Sequence, residues 1–253
     1  MVQSIKNNLA SSNKYVVRFA RDTGEIRAAQ KLRFNVFNLE LGEGLESAYE
    51  NRYDSDKYDE QCHHLLVLKK DTEKVIGTYR MQDYEMAENG NGFYTADEFD
   101  IQSMPEDVLL RGVEVGRACI ARDHRNGRVL YLLWRGLAEY LNQKNAHYLF
   151  GCCSITSQSR EEAWEVLDYL KNKGLYHSSI YVEVKQKYKC PETKRDNEAW
   201  KKVKLPQLFR LYMELGAKIC SPPALDKEFK TIDYLVLLDI RNLDERTRLL
   251  FFK

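Results

Sequence analysis

The sequence predicts an α/β (α+β) fold, and three observations carry that expectation. Apolar runs of strand length alternate with longer segments of helical spacing along most of the chain. Hydrophobic residues make up 43% and charged residues 30%, a globular composition that argues against disorder. With 253 residues the chain can close a core without disulfides.

Residues 15–20 read as a first strand, and residues 25–41 as a helix. In that helix Ile26, Ala29, Leu32, Val36, Phe37 and Leu41 recur at helical spacing, behind Asp22 as cap material. Residues 42–60 are polar and acidic and read as a loop. Residues 63–69 and 74–85 read as a hairpin, with a polar turn at 70–73. Residues 95–100 and 105–109 look like short helical pieces. A strand at 113–121, a basic loop at 122–128 and a helix at 129–144 follow. Residues 147–155 read as a buried strand, and 159–173 as a helix ended by Gly174. Residues 206–215 form a last helix, ended by Gly216, before strands at 217–220 and 231–240. Residues 175–204 are basic and tyrosine-rich with no core face, so an insertion or exposed arm is expected.

The formal net charge is +1, which does not suggest a nucleic-acid binder. Charge is nevertheless uneven. Eight acidic residues fall between 40 and 60, and eight basic ones between 185 and 204. Both runs read as solvated loops, although the basic one could receive an acidic protein or an anionic membrane. No apolar run approaches the roughly 20 residues of a membrane span. The first residues lack the apolar core of a signal peptide, so a cytoplasmic location is expected. The six cysteines form no C-x-x-C pair and read as buried, reduced thiols. His63 and His64 have no sensibly spaced third ligand, so no metal is expected.

Two features point to chemistry. Glu114 and Arg117 lie within an otherwise apolar strand. A carboxylate there is costly unless it is paired or faces a cavity. Ordinary ion pairing and a catalytic role stand equally open. By strand alternation, Arg117 shares a face with Val113 and Val115, opposite Glu114 and Gly116. The second feature is the junction of that strand with a helix through Arg122, Arg125, Asn126, Gly127 and Arg128. Backbone N–H groups at a helix start favour an anion such as phosphate.

The order strand, helix, hairpin, charged strand, basic loop, helix, strand, helix resembles the GNAT N-acyltransferase fold, a central mixed twisted sheet flanked by helices. A narrower resemblance is to its acyl-carrier-protein-dependent branch, which includes acyl-homoserine-lactone synthases and long-chain N-acyl amino acid synthases. Arg33 and Phe37, Asp56 and Asp59, Arg80, then Glu114 and Arg117 occur in the branch's order. The stretches Arg33-Phe34-Asn35-Val36-Phe37, Tyr58-Asp59-Glu60-Gln61-Cys62-His63-His64-Leu65 and Phe150-Gly151-Cys152-Cys153-Ser154 look like the ornithine-lipid synthase (hemolysin-like) type.

That resemblance implies one domain over residues 15–240, with an N-terminal tail at 1–14 and a C-terminal tail at 241–253. It implies transfer of a 3-hydroxy fatty acyl group from acyl carrier protein to the α-amine of an amino acid such as ornithine or glycine. Acyl-coenzyme A is the other candidate donor, and no permanent cofactor is implied. Glu114 is then the expected base, and Arg117 either positions it or binds a substrate carboxylate in a fork. Arg33, Phe37, Asp56, Asp59 and Arg80 form the acceptor side, where Asp56 and Asp59 hold the acceptor's ammonium, pair with Arg33 and Arg80, or do both. Arg122, Arg125, Asn126, Gly127 and Arg128 hold the phosphopantetheine arm and the acidic carrier protein. Peripheral contact with the inner membrane is a further expectation. The competing readings are an acetyl-coenzyme-A-dependent N-acetyltransferase, an autoinducer synthase and a non-catalytic lipid-binding protein.

Overall fold

A computed structural model describes residues 8–196 and 198–252. The chain begins with β1 (Asn8–Ser11) and β2 (Tyr15–Phe19). Helix α1 (Thr23–Phe34) starts where the Asp22 carboxylate accepts the Glu25 N–H at 2.9 Å. The helical spacing expected to reach residue 41 does so, but the last seven residues, Asn35–Leu41, widen into a π-helix. After α2 (Ala48–Asn51) come β3 (His63–Lys69), β4 (Val75–Asp83) and α3 (Tyr84–Glu88). Helices α4 (Thr95–Glu98) and α5 (Glu106–Leu110) precede β5 (Gly112–Ile120). Then follow α6 (Gly127–Lys144), β6 (Tyr148–Ile155), α7 (Arg160–Asn172) and α8 (Gln207–Glu214). The chain closes with β7 (Lys218–Ile219), β8 (Ala224–Asp226), β9 (Thr231–Asp239) and α9 (Glu245–Phe251).

These elements form two compact units. The first takes residues up to 91, 115–146 and those from 244 on; the second takes 92–114 and 147–243.

In the first unit the strand order is β1-β2-β3-β4-β5. Strands β1, β2, β3 and β4 pair antiparallel. Leu65, Leu66 and Val67 are fully buried, as a strand covered on both faces requires. Helix α6 lies close against this sheet at Gly136, where an added Cβ would come within 2.9 Å of Leu65 and Val17. Phe251 of α9 stacks on Tyr131 and Trp134 of α6.

In the second unit β5 pairs with β6 in parallel through Gly112, Val113 and Glu114, opposite Tyr148, Leu149 and Phe150. Strand β9 lies antiparallel to β6 over its whole length, and both β7 and β8 pair with β9. The sheet is therefore mixed. Helix α7 is fixed by the Tyr234 hydroxyl, which donates to the Ala163 carbonyl at 2.6 Å. Phe209 of α8 packs on the ring of Tyr234.

Three expectations need correction. The N-terminal tail holds β1, whose Ala10 and Ser11 pair with Val17 and Val16. The C-terminal tail holds α9, because Phe251 finds an aromatic surface on α6. The segment at 175–204 is not an exposed arm. Val182, Val184, Tyr188 and Cys190 are buried, and isolated bridges tie Tyr176 to Ile219, Val184 to Phe99 and Lys189 to Ala224. Its apolar residues are spaced for neither helix nor strand, so periodicity missed them.

All six thiols are free, and five are buried; Cys152 is half-buried. Burial pushes the Cys119 and Cys220 thiols up to about 12, which leaves them protonated and inert. Among the described residues, no helix is long and apolar enough to cross a membrane.

Candidate active site

The first unit carries a buried cluster of three arginines and three aspartates. Arg33 is 0% exposed and forks onto Asp59, with Nη1 to Oδ1 at 2.9 Å and Nη2 to Oδ2 at 2.6 Å. Its Nη2 also donates to the Asp54 carbonyl at 2.5 Å, and its Nε lies 2.8 Å from Asp54 Oδ1. Arg80 Nη1 donates to Asp56 Oδ1 at 2.5 Å and to Asp59 Oδ1 at 2.9 Å. Arg117 reaches Asp54 Oδ1 at 3.4 Å and Asp56 Oδ2 at 3.3 Å. Six unit charges sum to zero, which is what makes their burial tolerable. Of the two readings open for Asp56 and Asp59, the structure shows the pairing with Arg33 and Arg80. Sequence reasoning missed Asp54, the carboxylate that joins Arg33 to Arg117.

Burial works against ionised Asp59, but Arg33 and Arg80 outweigh it and hold the carboxyl well below the usual carboxylate range. Asp56 is lowered in the same way, against its burial, by Arg80 and Arg117. His64 Nε2 hydrogen-bonds the Asp59 carbonyl at 2.9 Å. Burial, reinforced by Arg33 and Arg80, pushes the His64 imidazole down to about 4. Burial does the same to His63, also to about 4, with Lys144 adding to it.

The sign of the pH dependence follows. A histidine whose folded value lies below its ordinary 6.5 is protonated first in the unfolded chain, so stability is lost as pH falls from 6.5 towards 4. His64 alone is expected to contribute about 2 kcal/mol to the difference between pH 7 and pH 5. Urea unfolding at the two pH values checks this, and His64→Gln is expected to flatten the slope between them.

Phe37 lies buried in the π-helix that extends α1. Arg117 adopts φ = 49°, a left-handed backbone inside a strand. This breaks the alternation expected along β5, so Arg117 does not simply share a face with Val113 and Val115. A local irregularity of this kind re-aims a side chain, here towards Asp54 and Asp56.

The basic junction also lies in the first unit. The Asn126 carboxamide caps α6 by accepting the Val129 N–H at 3.2 Å. Arg122, Arg125, Gly127 and Arg128 are exposed. Arg125 is already engaged: it forks onto Glu40 and donates Nε to the Ile120 carbonyl at 3.0 Å. A Cβ added at Gly127, or at Gly116 of β5, would meet nothing within 4 Å. Neither glycine is demanded by packing within the chain.

The second unit holds Glu114, 5% exposed. Its carboxylate accepts the Thr95 N–H at 2.6 Å and the Tyr94 N–H at 3.0 Å, at the start of α4. One turn later on α4 stands Glu98, 1% exposed, grouped with Asp226 and Asp233 so that one oxygen from each lies within 4.8 Å of the others. Burial first, then Asp233 and Asp226, raise Glu98 above the carboxylate range, and burial together with Asp226 raises Asp233. Half-buried Cys152 of β6 lies beside them, its Sγ 3.9 Å from Glu98 Oε1. Sequence reasoning missed this acidic group. Asp233 within the apolar run Thr231-Ile232-Asp233-Tyr234-Leu235 is the same signal that singled out Glu114.

Residues 32–135 match the Acetyltransferase (GNAT) domain family. The chain is 33% identical to an L-ornithine N(alpha)-acyltransferase of Brucella abortus, over 91% of this chain and 86% of the relative. It is 32% identical to one of Agrobacterium fabrum, over 90% of this chain and 82% of that relative. Its fold is similar to that of the AHL synthase LasI, with a TM-score of 0.51 at 12% identity over 95% of this chain and 96% of that one. With sequence and fold in agreement, the chain is an acyltransferase and belongs to the family of the L-ornithine N(alpha)-acyltransferases.

Proposed function

We propose that the protein transfers a 3-hydroxy fatty acyl group from acyl carrier protein to the α-amine of an amino acid, L-ornithine first among the acceptors. The observation that carries the reading is the identity to L-ornithine N(alpha)-acyltransferases along more than four-fifths of both chains. The buried Glu114 carboxylate supports it chemically.

In this reading the acceptor's ammonium gives a proton to Glu114, directly or through a water. The freed amine attacks the thioester carbonyl. The C–N bond forms, the C–S bond breaks, and the carrier's thiol leaves with a proton. Both Glu114 oxygens are oriented by the backbone N–H groups of Tyr94 and Thr95, which fix the carboxylate for such a transfer. Arg33, Asp56, Asp59 and Arg80 lock the loop that carries Asp54, and Arg117 is a positioning residue through Asp54 and Asp56. Arg122, Asn126, Gly127 and Arg128 receive the single phosphodiester of the carrier arm at the start of α6, and Arg125 joins them if it leaves Glu40. A carrier protein with an acidic helix would be drawn to the same exposed arginines. A product with one acyl chain gives the enzyme a reason to work at the inner membrane surface.

Mass spectrometry of lipid extracts from an expressing host that lacks aminolipids tests the reading. A new N-acyl amino acid is expected, and its mass identifies acceptor and chain length. Purified protein that turns over neither 3-hydroxyacyl carrier protein nor acyl-coenzyme A with an amino acid panel would refute it. Gly127→Ala tests the donor site separately. The methyl group meets no atom of the chain and alanine favours the helix, so folding stability is expected to hold or rise by about 0.5–1 kcal/mol. The KM for the acyl donor is expected to rise, because the backbone could no longer approach the phosphate closely.

A further inference from the structure

The acidic group of the second unit has no role in the chemistry described above, yet it is built at a cost. Glu98, Asp226 and Asp233 are 1%, 5% and 3% exposed. Asp226 is committed within the chain, since its Oδ1 accepts the Glu228 N–H at 2.8 Å and the Phe229 N–H at 2.9 Å. One oxygen of each of the other two is also engaged: Asp233 Oδ2 accepts the Thr231 hydroxyl at 3.0 Å, and Glu98 Oε1 faces the Cys152 thiol at 3.9 Å. Glu98 Oε2 and Asp233 Oδ1 are buried and meet no hydrogen-bond donor. The Thr95 hydroxyl, three residues before Glu98 on the same face of α4, is buried without a partner as well. Facing acceptors without a donor between them call for a proton or a cation.

We propose that Glu98, Asp226 and Asp233 form a subsite for the distal ammonium group of a basic amino acid acceptor, held one helical turn from Glu114. This deepens the acyltransfer reading above and rests on it. Three features support an ammonium. It has three N–H donors to set against three carboxylates. At charge-assisted distances of about 2.8 Å, tetrahedral donors spread their acceptors about 4.6 Å apart, and the three oxygens here lie within 4.8 Å of one another. Calcium, by contrast, takes about 6–8 oxygens, and one Asp226 oxygen is already bound by two N–H groups.

The spacing also fits. Glu114 holds the N–H of Thr95, and Glu98 stands three residues further along α4, about 5 Å along a helix axis. The two amines of ornithine are five bonds apart, about 6 Å when extended. On β6, Cys152 is half-buried and Ser154, opposite Asp233 in register, is exposed. The Cys152 thiol is raised by burial and then by the charges of Glu98, Asp233 and Glu114.

The test compares L-ornithine with L-norvaline, which has the same carbon chain and no distal amine, using purified full-length protein and an acyl donor. Wild type is expected to prefer ornithine by at least roughly 30-fold in kcat/KM. Glu98→Gln and Asp233→Asn are each expected to bring that ratio close to one, chiefly through the KM for ornithine. Cys152→Lys, which sets a competing cation beside the group, is expected to lower the ratio without removing a carboxylate. A wild-type ratio near one would overturn the subsite, and so would folded variants that keep the full preference. Loss of the ornithine preference on chelation, restored by Ca2+ or Mg2+, would make the group a metal site and also overturn it. Turnover of norvaline and glycine with no gain from ornithine sinks the subsite alone. No turnover with any amino acid sinks the acyltransfer reading itself.

Discussion

Arg33→Met is expected to destabilise the protein by about 3–5 kcal/mol, because it leaves two buried carboxylates without their fork. Asp54 and Asp59 are 1% and 2% exposed, so water cannot take the place of the guanidinium. Arg80 and Arg117 would still touch the two aspartates, but each also serves Asp56. For a chain of this size the loss corresponds to a melting temperature lower by roughly 10 °C or more. Arg33→Lys is expected to fare only slightly better, since one ammonium cannot make the planar two-bond contact with Asp59. The double variant Arg33→Met, Asp59→Asn is expected to recover part of the loss, as removing both partners costs less than stranding one. Thermal and urea unfolding of wild type, Arg33→Met, Asp59→Asn and the double variant check the cycle. Additive losses would mean that the pair does not act as a unit.

Glu114→Gln is expected to lower kcat for amine acylation by roughly 10²–10⁴-fold and to cost about 1–3 kcal/mol of stability for the N–H left unpaired. The amide keeps the size of the side chain and one acceptor oxygen, so it can hold either Thr95 or Tyr94 but not both. If the carboxylate serves as the base, the variant's rate should rise with pH as free amine becomes available in solution, and the deficit should narrow. If Glu114 only caps α4, the deficit should be the same at every pH and should follow the loss of stability. Initial rates from pH 6 to 10, set beside the melting temperatures, separate these outcomes.

Much of this was legible in the residues. Strong periodicity located α6, α7 and the buried strands within a residue or two, because long apolar stripes leave few alternatives. The charged pair in β5 stood out because charge in an apolar strand needs a reason. What stayed hidden depended on distant partners. The acidic run at 40–60 read as solvated, yet Asp54 and Asp59 are buried because Arg33, Arg80 and Arg117 come to them from other elements. Asp233 reads as a lone charge until Glu98, 135 positions earlier, is folded against it. Strand β1 has four residues, and its pairing with β2 is set by a turn rather than by an apolar pattern. The π-helix after α1 keeps the same apolar spacing as an α-helix over so short a stretch, so the pattern does not announce it.

The interleaving of the two units has a consequence for how the protein is made. The chain passes from one unit to the other four times, at residues 91, 114, 146 and 243. A ribosome delivers sequence in one direction, so neither unit is complete when its first strands emerge. Strands β1 to β4 leave the tunnel well before β5 and α6, which cover and extend them. The first unit acquires α9 only after all of the second unit has emerged. Synthesis therefore holds apolar strands such as Leu65-Leu66-Val67-Leu68 uncovered for some time, and chaperone engagement of nascent chains is the natural remedy. Neither unit can be cut out as one continuous piece, so deletion studies should work with the intact chain or with circular permutants.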